Sequence, residues 1–374
     1  MQIIVAGHLC LDIIPHWQTG TLAGLRPGKM VQMEGVTFST GGAVSNTGIA
    51  LKRLGFDPYL MARTGDDHVG DIIRSILRRE KINPDSIAVS PGATTSYTVV
   101  LNPPGTDRIF LHYPGTNDSF SVQDVQYGTA EAGLLHFGYP PLMRQMYQDQ
   151  GVNLKLLFQG AKEQGLLTSL DLAMPDPDSR SGQLDWAAIL RRVLPYVDFF
   201  LPSLDELLFM MDRSAYDRLQ KVLLAVDAEL LDDLSLRLLD WGAGVIGIKL
   251  GEEGFYLRSG SKASALGEGW RHRQMLVSTF KVDVQGTTGA GDTAIAGFLA
   301  GISLGMTPEK TLSLANAVGA FCVEAVSSIA GIPDLAMVQA RVERGWERGS
   351  TRIVPGSWHV GNDGVFLGPA DQFR

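Results

Sequence analysis

The chain has few of the features that mark secreted or membrane-spanning proteins. It contains two cysteines in 374 residues, Cys10 and Cys322, which lie far apart in apolar segments. They are typical of buried free thiols in a reducing compartment, not of a disulfide or a metal pair. No apolar run is as long as the roughly 18 residues of a transmembrane helix. The first residues lack the basic region of a signal peptide, so we expect a cytoplasmic protein.

Charged residues are also scarce and unclustered. They make up 19% of the chain, the formal net charge is −8, and Lys and Arg form no block. We therefore expect neither nucleic acid nor an anionic membrane surface as a partner. The hydrophobic content of 45% is that of an ordinary globular protein.

The order of apolar patterns indicates an α/β fold. Runs that suit buried strands, beginning with Gln2–Gly7, alternate with amphipathic stretches, most regularly after residue 130. This alternation predicts a mostly parallel central sheet with helices on both faces. Residues 15–40 and 95–113 instead contain short alternating pieces, the second typical of a β-hairpin. We expect these two stretches to form a small antiparallel β lid.

These patterns also predict the division of the chain. The main α/β domain comprises residues 1–14, 41–94 and 114–354, and the discontinuous lid comprises residues 15–40 and 95–113. Residues 355–374 show little periodicity and are expected to be a C-terminal surface tail.

The most informative stretch is residues 286–292, which read GTTGAGD and precede an apolar run with helical spacing. It predicts a tight glycine turn that opens a helix, with the N–H groups of Gly289 to Asp292 at the positive end of the helix dipole. Such a helix start binds anions, phosphate above all. The task that suits Asp292 beside a phosphate is to accept a proton from an attacking hydroxyl group.

Two other phosphate-binding motifs fit this stretch less well. Residues 289–294 match the dinucleotide turn G-x-G-x-x-A, but that turn belongs in a first βαβ unit, and here it lies three-quarters along the chain. Nor does the Lys-Ser/Thr pair of a Walker A loop follow the glycines. A helix start with a purely structural role stays open as an alternative.

A second glycine pair opens the stretch Gly41–Gly55, with Asn46 in the first turns of a predicted helix. Either Gly41 and Gly42 let the helix pack tightly on a strand, or they support a polar ligand that bonds to Asn46. Asp12 follows the first strand, at the carboxyl end where ligands bind in open α/β sheets. A turn or capping role for Asp12 is the alternative.

Together, the two glycine-rich stretches resemble the signature regions of the ribokinase-like (PfkB) carbohydrate kinase family, and the resemblance covers about residues 1–340. It implies a catalytic set of Asp292, Gly289, Ala290 and Gly291, with Asp292 as the base and the others as the anion hole. The implied sugar-binding residues are Asp12, Gly41, Gly42 and Asn46. The implied nucleotide-binding residues are Lys249, Gly251, Gly254, Thr288 and Asn316. Residues 15–40 and 95–113 match the position of the family's lid.

The chain departs from the family's pattern at two places. The family's acidic helix start usually reads Asn-x-x-Glu, but here Ser203 replaces the asparagine while Glu206 is kept. Glu206 is therefore implied to hold Mg²⁺ through water. Gly286 stands where the family usually has an aspartate that helps to form a monovalent-cation site. Activation by K⁺ is therefore doubtful, although Asp283 lies close in sequence.

The resemblance implies ATP-dependent transfer of a phosphoryl group to a hydroxyl of a sugar or sugar derivative, with ATP and Mg²⁺ as cofactors. A nucleoside kinase of the same family is one rival, because Asp12 and Asn46 would hold a ribose in either case. A catalytically inactive sugar-binding protein is the other. His16 and His112 fall in or near the lid, so a substrate contact is an open interpretation for each. Because lid sheets commonly join two copies in this family, a homodimer is expected.

Overall fold

The computed structural model describes residues 1–18, 20–105, 108–128, 132–221, 226–325, 329, 331–354, 356–361 and 364–373. Its strands are β1 (Gln2–Gly7), β2 (Cys10–Pro15), β3 (Val36–Gly41), β4 (Tyr59–Met61), β5 (Arg63–Gly65), β6 (Ala88–Ser90), β7 (Tyr97–Leu101), β8 (Ile109–Tyr113), β9 (Ala132–Gly138), β10 (Leu167–Leu170), β11 (Phe199–Phe200), β12 (Val245–Lys249), β13 (Phe255–Ser259), β14 (Gln274–Val277), β15 (His359–Val360) and β16 (Val365–Leu367). Its helices are α1 (Ala43–Arg53), α2 (His68–Arg79), α3 (Arg144–Glu163), α4 (Trp186–Val193), α5 (Leu204–Met211), α6 (Arg213–Gln220), α7 (Ala228–Asp240), α8 (Ala290–Ser303), α9 (Pro308–Val323) and α10 (Leu335–Glu343).

A ten-stranded sheet with the order β15-β16-β14-β13-β12-β11-β10-β9-β1-β4 runs through the molecule. Neighbours from β4 to β12 are parallel, and those from β12 to β15 are antiparallel. The predicted α/β fold with a mostly parallel central sheet is confirmed. None of the helices in the described ranges is long and apolar enough to cross a membrane.

Helices cover both faces of the sheet because side chains along each strand alternate between two apolar cores. Ile3 and Val5 of β1 pack into a core shared with α1, α2, α8, α9 and α10. Ile4 and Ala6 pack into a second core shared with α3, α4, α5 and α7. Helix α3 is interrupted at residues 148–151, where three successive residues take positive φ angles.

A separate four-stranded sheet has the order β3-β2-β7-β8. The pairs β2–β3 and β7–β8 are antiparallel, and β2–β7 is parallel. The predicted small sheet is therefore present, and β7–β8 is the predicted hairpin, although residues 106 and 107 of its turn lie outside the described residues. Strands β5 and β6 form a third, two-stranded sheet.

Asp12 lies elsewhere than the sequence predicted. Strand β1 ends at Gly7, the chain turns at His8 and Leu9, and Asp12 is the third residue of β2 in the small sheet. Expecting Asp12 at the carboxyl end of the first strand was wrong, because Cys10–Pro15 forms a strand of its own that pairs with β3 and β7 in the small sheet. The small sheet begins at Cys10, within the stretch assigned from sequence to the main domain.

The C-terminal residues differ from the predicted surface tail. Strand β16 pairs with β14 and so extends the main sheet, and β15 pairs with β16. Beyond them the buried Asp371 carboxylate accepts hydrogen bonds from Arg273 Nε at 2.9 Å and from the backbone N–H of Gln274 at 2.9 Å. Because a strand of three residues leaves almost no periodic pattern, this pairing could not be predicted from the sequence.

Candidate active site

A cavity of about 670 Å³ opens between the small sheet and the carboxyl ends of β1 and β9. Of the catalytic, sugar-binding and nucleotide-binding residues implied by the resemblance, six line it: Asp12, Gly42, Asn46, Thr288, Gly289 and Asp292. Parallel strands all end at the same edge of the sheet, which explains why residues from distant parts of the chain meet there.

Asp292 stands in the first turn of α8, whose N-cap residue Gly289 takes the left-handed φ of 76°. Its Oδ2 atom accepts hydrogen bonds from Asn46 Nδ2 and from the Tyr139 hydroxyl, each at 2.8 Å. Its Oδ1 atom is buried and has no hydrogen-bond partner within the described part of the chain. One carboxylate oxygen is thus held from two sides while the other is left for a ligand.

The charge of Asp292 is affected by both burial and its neighbours. Burial raises the pKa of Asp292, while the hydrogen bonds from Asn46 and Tyr139 and the positive charge of Lys249 oppose that rise. The start of α8 also places the positive end of a helix dipole beside the carboxylate. These opposing effects suit a group that must be ionised in order to accept a proton.

The residues predicted to form the anion hole lie at this helix start. Thr288 and Gly289 line the cavity. The backbone N–H of Ala290 makes a long hydrogen bond of 3.3 Å to Thr287 O in the turn. A Cβ atom added to Gly291 would lie 3.5 Å from Lys249 Nζ, so Lys249 packs directly beside the turn.

Lys249 forms a buried ion pair beside the start of α8. Its Nζ atom donates to Asp171 Oδ1 at 2.7 Å, with exposed fractions of 13% for the lysine side chain and 1% for the aspartate. The charge of Asp171 raises the pKa of Lys249 against the effect of burial. The ion pair therefore keeps a positive charge beside the helix start that was predicted to bind phosphate.

Asp12 and the two predicted glycines fit together closely. A Cβ atom on Gly41 would lie 2.4 Å from Asp12 Oδ2, and one on Gly42 would lie 2.5 Å from His8 Nδ1. The glycine pair therefore makes room for polar side chains at the start of α1. This close packing also fits the alternative interpretation of Gly41 and Gly42, in which the two glycines let helix α1 pack tightly on a strand.

A chain of hydrogen bonds connects the small sheet to the main sheet. His8 Nε2, just after β1, lies 3.4 Å from His112 Nε2 on β8, and His112 Nδ1 lies 3.0 Å from Thr98 Oγ1. Burial lowers the pKa of both histidines. His112 lines the cavity as its place in the lid indicated, whereas His16 bonds to Thr37 Oγ1 and is not among the residues lining it.

Glu206 caps its own helix. Ser203 Oγ accepts from the Glu206 N–H at 3.3 Å, and Glu206 Oε2 accepts from the Ser203 N–H at 2.8 Å, so Ser203 serves as N-cap where the family has asparagine. The charge of Glu206 acts on Asp171, Lys249 and Asp292. Among the described residues, no group of three or more His, Cys, Asp or Glu side chains is arranged to hold a metal ion. A single nearby carboxylate fits Mg²⁺, which is often held by one carboxylate, water and substrate phosphates.

Of the predicted nucleotide-binding residues, Thr288 lines the cavity, whereas Lys249, Gly251, Gly254 and Asn316 are not among the lining residues. Gly251 has open space where a side chain would be, whereas a Cβ atom on Gly254 would lie 2.2 Å from Val277 O. Asn316 Nδ2 donates to that same carbonyl at 2.8 Å. Gly254 and Asn316 therefore meet at the end of β14, where both have a structural task.

Several residues that sequence reasoning missed are part of the site: His8, Tyr139, Asp171, Thr98 and Arg108. A weak signal existed for Asp171, an acid at the end of a predicted strand, and for Tyr139, which follows another strand and precedes two prolines. Arg108, from the lid hairpin, donates to Thr287 Oγ1 at 3.0 Å and so connects the small sheet to the phosphate-binding turn.

Comparisons with known proteins find relatives and solved structures that are similar over most of the chain. A fructokinase-2 from Zea mays is 24% identical over 354 residues, which cover 90% of this chain and 92% of that protein. The ribokinase of Arabidopsis thaliana, solved with ribose and ATP, superposes with a TM-score of 0.69 at 18% identity, covering 90% of this chain and 97% of that one. The nucleoside kinase of Burkholderia thailandensis, solved with inosine, gives 0.67 at 18% identity, with 93% and 100% covered.

The structural likenesses define a ribokinase-like α/β fold. The family described as pfkB family carbohydrate kinase matches residues 2–335. The chain belongs to that family, which confirms the resemblance carried by the two glycine-rich stretches, and its class is that of an ATP-dependent carbohydrate kinase.

Asp12 yields a prediction about stability. Burial raises its pKa to about 6, against hydrogen bonds from Cys10 and Thr98. The unfolded carboxyl ionises near pH 4, so above pH 6 the folded state alone bears the cost of a buried charge. Asp12→Asn should therefore increase the free energy of unfolding at pH 7.5 by roughly 1–3 kcal/mol, and the gain should shrink towards pH 4. Urea unfolding at several pH values measures this.

The control is Asp57→Asn, at an exposed ion pair with Lys52. This variant should show no gain that grows with pH. An Asp12→Asn protein that is no more stable than wild type at pH 7.5 would show that solvent in the cavity already hydrates the carboxylate.

Proposed function

We propose that this protein transfers the γ-phosphoryl group of ATP to a hydroxyl group of a sugar or sugar derivative, with Asp292 as the general base. The observation that carries the proposal is the Asp292 carboxylate, buried at a helix start with Oδ2 held by two donors and Oδ1 unpartnered among the described residues. A buried carboxylate oxygen without a donor is costly unless a ligand supplies one.

The buried acceptors of the cavity favour a ligand with several hydroxyl groups. Asn46 Oδ1 and Asp292 Oδ1 are buried, and neither has a hydrogen-bond partner in the described structure. Asp12 adds a third acceptor at the cavity wall. A sugar offers hydroxyl donors at neighbouring carbons, and each satisfied acceptor recovers its cost of desolvation.

The chemistry is an in-line transfer. Asp292 Oδ1 takes the proton of the attacking hydroxyl as its oxygen bonds to the γ-phosphorus and the bond from that phosphorus to the leaving ADP oxygen breaks. The N–H groups of Gly289, Ala290 and Gly291, with Lys249 beside them, stabilise negative charge on the transferring group. The long Ala290–Thr287 bond is weak enough for a phosphate oxygen to replace it. Glu206 would hold Mg²⁺ through water, and the ion would supply positive charge to neutralise the ATP phosphates.

The small sheet has two tasks in this scheme. It supplies Asp12 to the sugar, and through Arg108 and Thr287 it closes on the phosphate-binding turn. Closure excludes water, which would otherwise accept the phosphoryl group in place of the sugar. For nucleotide binding, we propose that Lys249 and Thr288 lie beside the ATP phosphates. Gly251, Gly254 and Asn316 would contact the rest of the nucleotide.

A nucleoside is the second candidate acceptor. Besides Asp12 and Asp292, apolar and aromatic side chains line the cavity, among them Phe110, Tyr147 and Met174. A flat base could pack on such a surface while its ribose meets Asp12 and Asn46. The inactive sugar-binding alternative is disfavoured, because a binding protein has no need of the costly buried Asp292 and the Lys249–Asp171 ion pair.

The first test is ADP release measured over a panel of sugars and nucleosides, followed by the Asp292→Asn variant on the best acceptor. The asparagine keeps the hydrogen bonds but cannot take the proton, so kcat should fall about 10²–10⁴-fold. Binding of ATP and of the acceptor, measured by calorimetry, should persist. Turnover near the wild-type value in Asp292→Asn would refute the base assignment, and no ADP release with any acceptor would favour the inactive protein.

We further propose that turnover does not require K⁺. Gly286 replaces the aspartate of the family's cation site, and the side chain of nearby Asp283 is exposed to solvent. The expected result is equal kcat in potassium and in sodium buffers. Gly286→Asp should introduce a response to K⁺, whereas the uncharged control Gly286→Asn should not, because it adds no negative charge to the turn. A wild-type enzyme activated several-fold by K⁺ would contradict this proposal.

We also propose that two copies associate through the small sheet. Strand β8 is an edge of that sheet and is exposed along its length. Val36, Phe38 and Leu111 are exposed by 48%, 45% and 53%. Leu111 pairs with Val99 and alternates with Phe110 and His112, which line the cavity, so it lies on the opposite face. An exposed edge strand with apolar neighbours is a surface that a second copy can cover.

Leu111→Glu should therefore convert a dimer into a monomer in sedimentation velocity, since a charge would be buried in an apolar contact. The matched control is Leu156→Glu, at a leucine of α3 exposed by 43%, which should remain dimeric. A wild-type protein that is monomeric at high micromolar concentration would argue against this interface.

A further inference from the structure

Tyr139 has an unusual backbone conformation for its residue type. It follows β9 directly and precedes Pro140 and Pro141, with φ at 67° and ψ at 40° in the left-handed region. That region is unfavourable for residues with a bulky side chain. Such conformations persist where the surrounding structure enforces them, and they cluster at functional sites.

The left-handed backbone at Tyr139 places its hydroxyl within hydrogen-bond distance of Asp292. The hydroxyl donates to Asp292 Oδ2 at 2.8 Å, and Asn46 Nδ2 donates to the same oxygen at the same distance. Two donors on one oxygen fix the plane of the carboxylate. They leave Oδ1, the oxygen without a partner among the described residues, as the one that meets a ligand.

We propose that Tyr139 is a positioning residue that orients the general base and selects Asp292 Oδ1 as the oxygen that accepts the proton. This inference rests on the proposed role of Asp292 as the base. It adds the residue that follows β9 to the groups that hold the proposed base, and it explains why the chain accepts a left-handed tyrosine just after that strand.

The electrostatic setting supports this assignment. Burial, followed by the charge of Asp292, raises the pKa of Tyr139 well above its usual value, so the hydroxyl stays a donor across the working pH range. The hydrogen bond from Tyr139 in turn lowers the pKa of Asp292. Five other ionisable groups interact electrostatically with Asp292: Lys249 on β12, Glu206 on α5, Asp171 after β10, Asp12 on β2 and Cys322 on α9.

Tyr139→Phe tests the proposal because it keeps the ring and removes only the donor. At saturating acceptor, the single-turnover rate constant should fall roughly 10- to 100-fold, which is the effect of one hydrogen bond to a charged group. The acid limb of the kcat–pH profile should move to higher pH by about one unit, because the Asp292 pKa rises when it loses a donor. The KM for ATP should stay at the wild-type value.

A matched control is Tyr127→Phe. It removes a hydroxyl that donates to Leu157 O at 2.8 Å, and Tyr127 is not among the residues lining the cavity. Its acid limb should match that of wild type. Incorporation of 3-fluorotyrosine at position 139 keeps the geometry and makes the hydroxyl a stronger donor, so its acid limb should lie at or below the wild-type pH. This second variant gives a result even if Tyr139→Phe does not fold.

The outcomes separate this inference from the proposed function. If Asp292→Asn is inactive but Tyr139→Phe keeps the wild-type kcat or acid limb, the positioning role is wrong while the base assignment stands. A fall in kcat with an unmoved acid limb would likewise overturn it, since that is the behaviour of a structural hydroxyl. If Asp292→Asn is fully active, the base assignment itself fails.

Discussion

The hydrogen bond between Asn46 and Asp292 is the contact on which the site depends. It joins the first turns of α1 and α8, two helices that begin at glycines with positive φ, Gly42 at 90° and Gly289 at 76°. Thr47 strengthens the joint by donating to Asp292 O at 3.2 Å. Because both helices direct their N-terminal ends towards one carboxylate, two positive dipole ends help to hold its negative charge. Residues 246 positions apart thereby form one centre.

The sequence predicted most of this centre because its local signals are strong. A glycine turn that opens a helix, followed by an aspartate, has few chemical interpretations, and the apolar periodicities of α1 and α8 place both turns on helix starts. The alternation of strands and helices likewise predicted the sheet. Where the pattern was short or mixed, as at Cys10–Pro15 and Val365–Leu367, periodicity could not assign the strand to its sheet.

The partners of these residues could not be predicted in the same way. Tyr139, Asp171 and His8 each follow a strand of the main sheet, and their meeting depends on the order β10-β9-β1 in space. Lys249 was predicted beside the nucleotide, but the acid that it pairs with could be found only once β10 and β12 had been placed. Side-chain pairs across a parallel sheet leave no spacing signal, because the connecting helices vary in length.

The position of Asp12 changes how acceptor binding and lid closure are connected. Had Asp12 stood at the end of β1, the sugar could have bound to the main domain alone, and the lid would only have covered it. Because Asp12 is part of β2, and Thr98 and His112 of the same sheet line the same cavity, a sugar that bonds to both Asp12 and Asn46 joins the two sheets. In the proposed mechanism, binding energy from the sugar holds the small sheet against the turn that carries Asp292, so that a bound acceptor favours enclosure of the proposed base. An acceptor that lacks the hydroxyl bound by Asp12 would lose that hydrogen bond. It would also lose part of the binding energy that holds the small sheet against the turn.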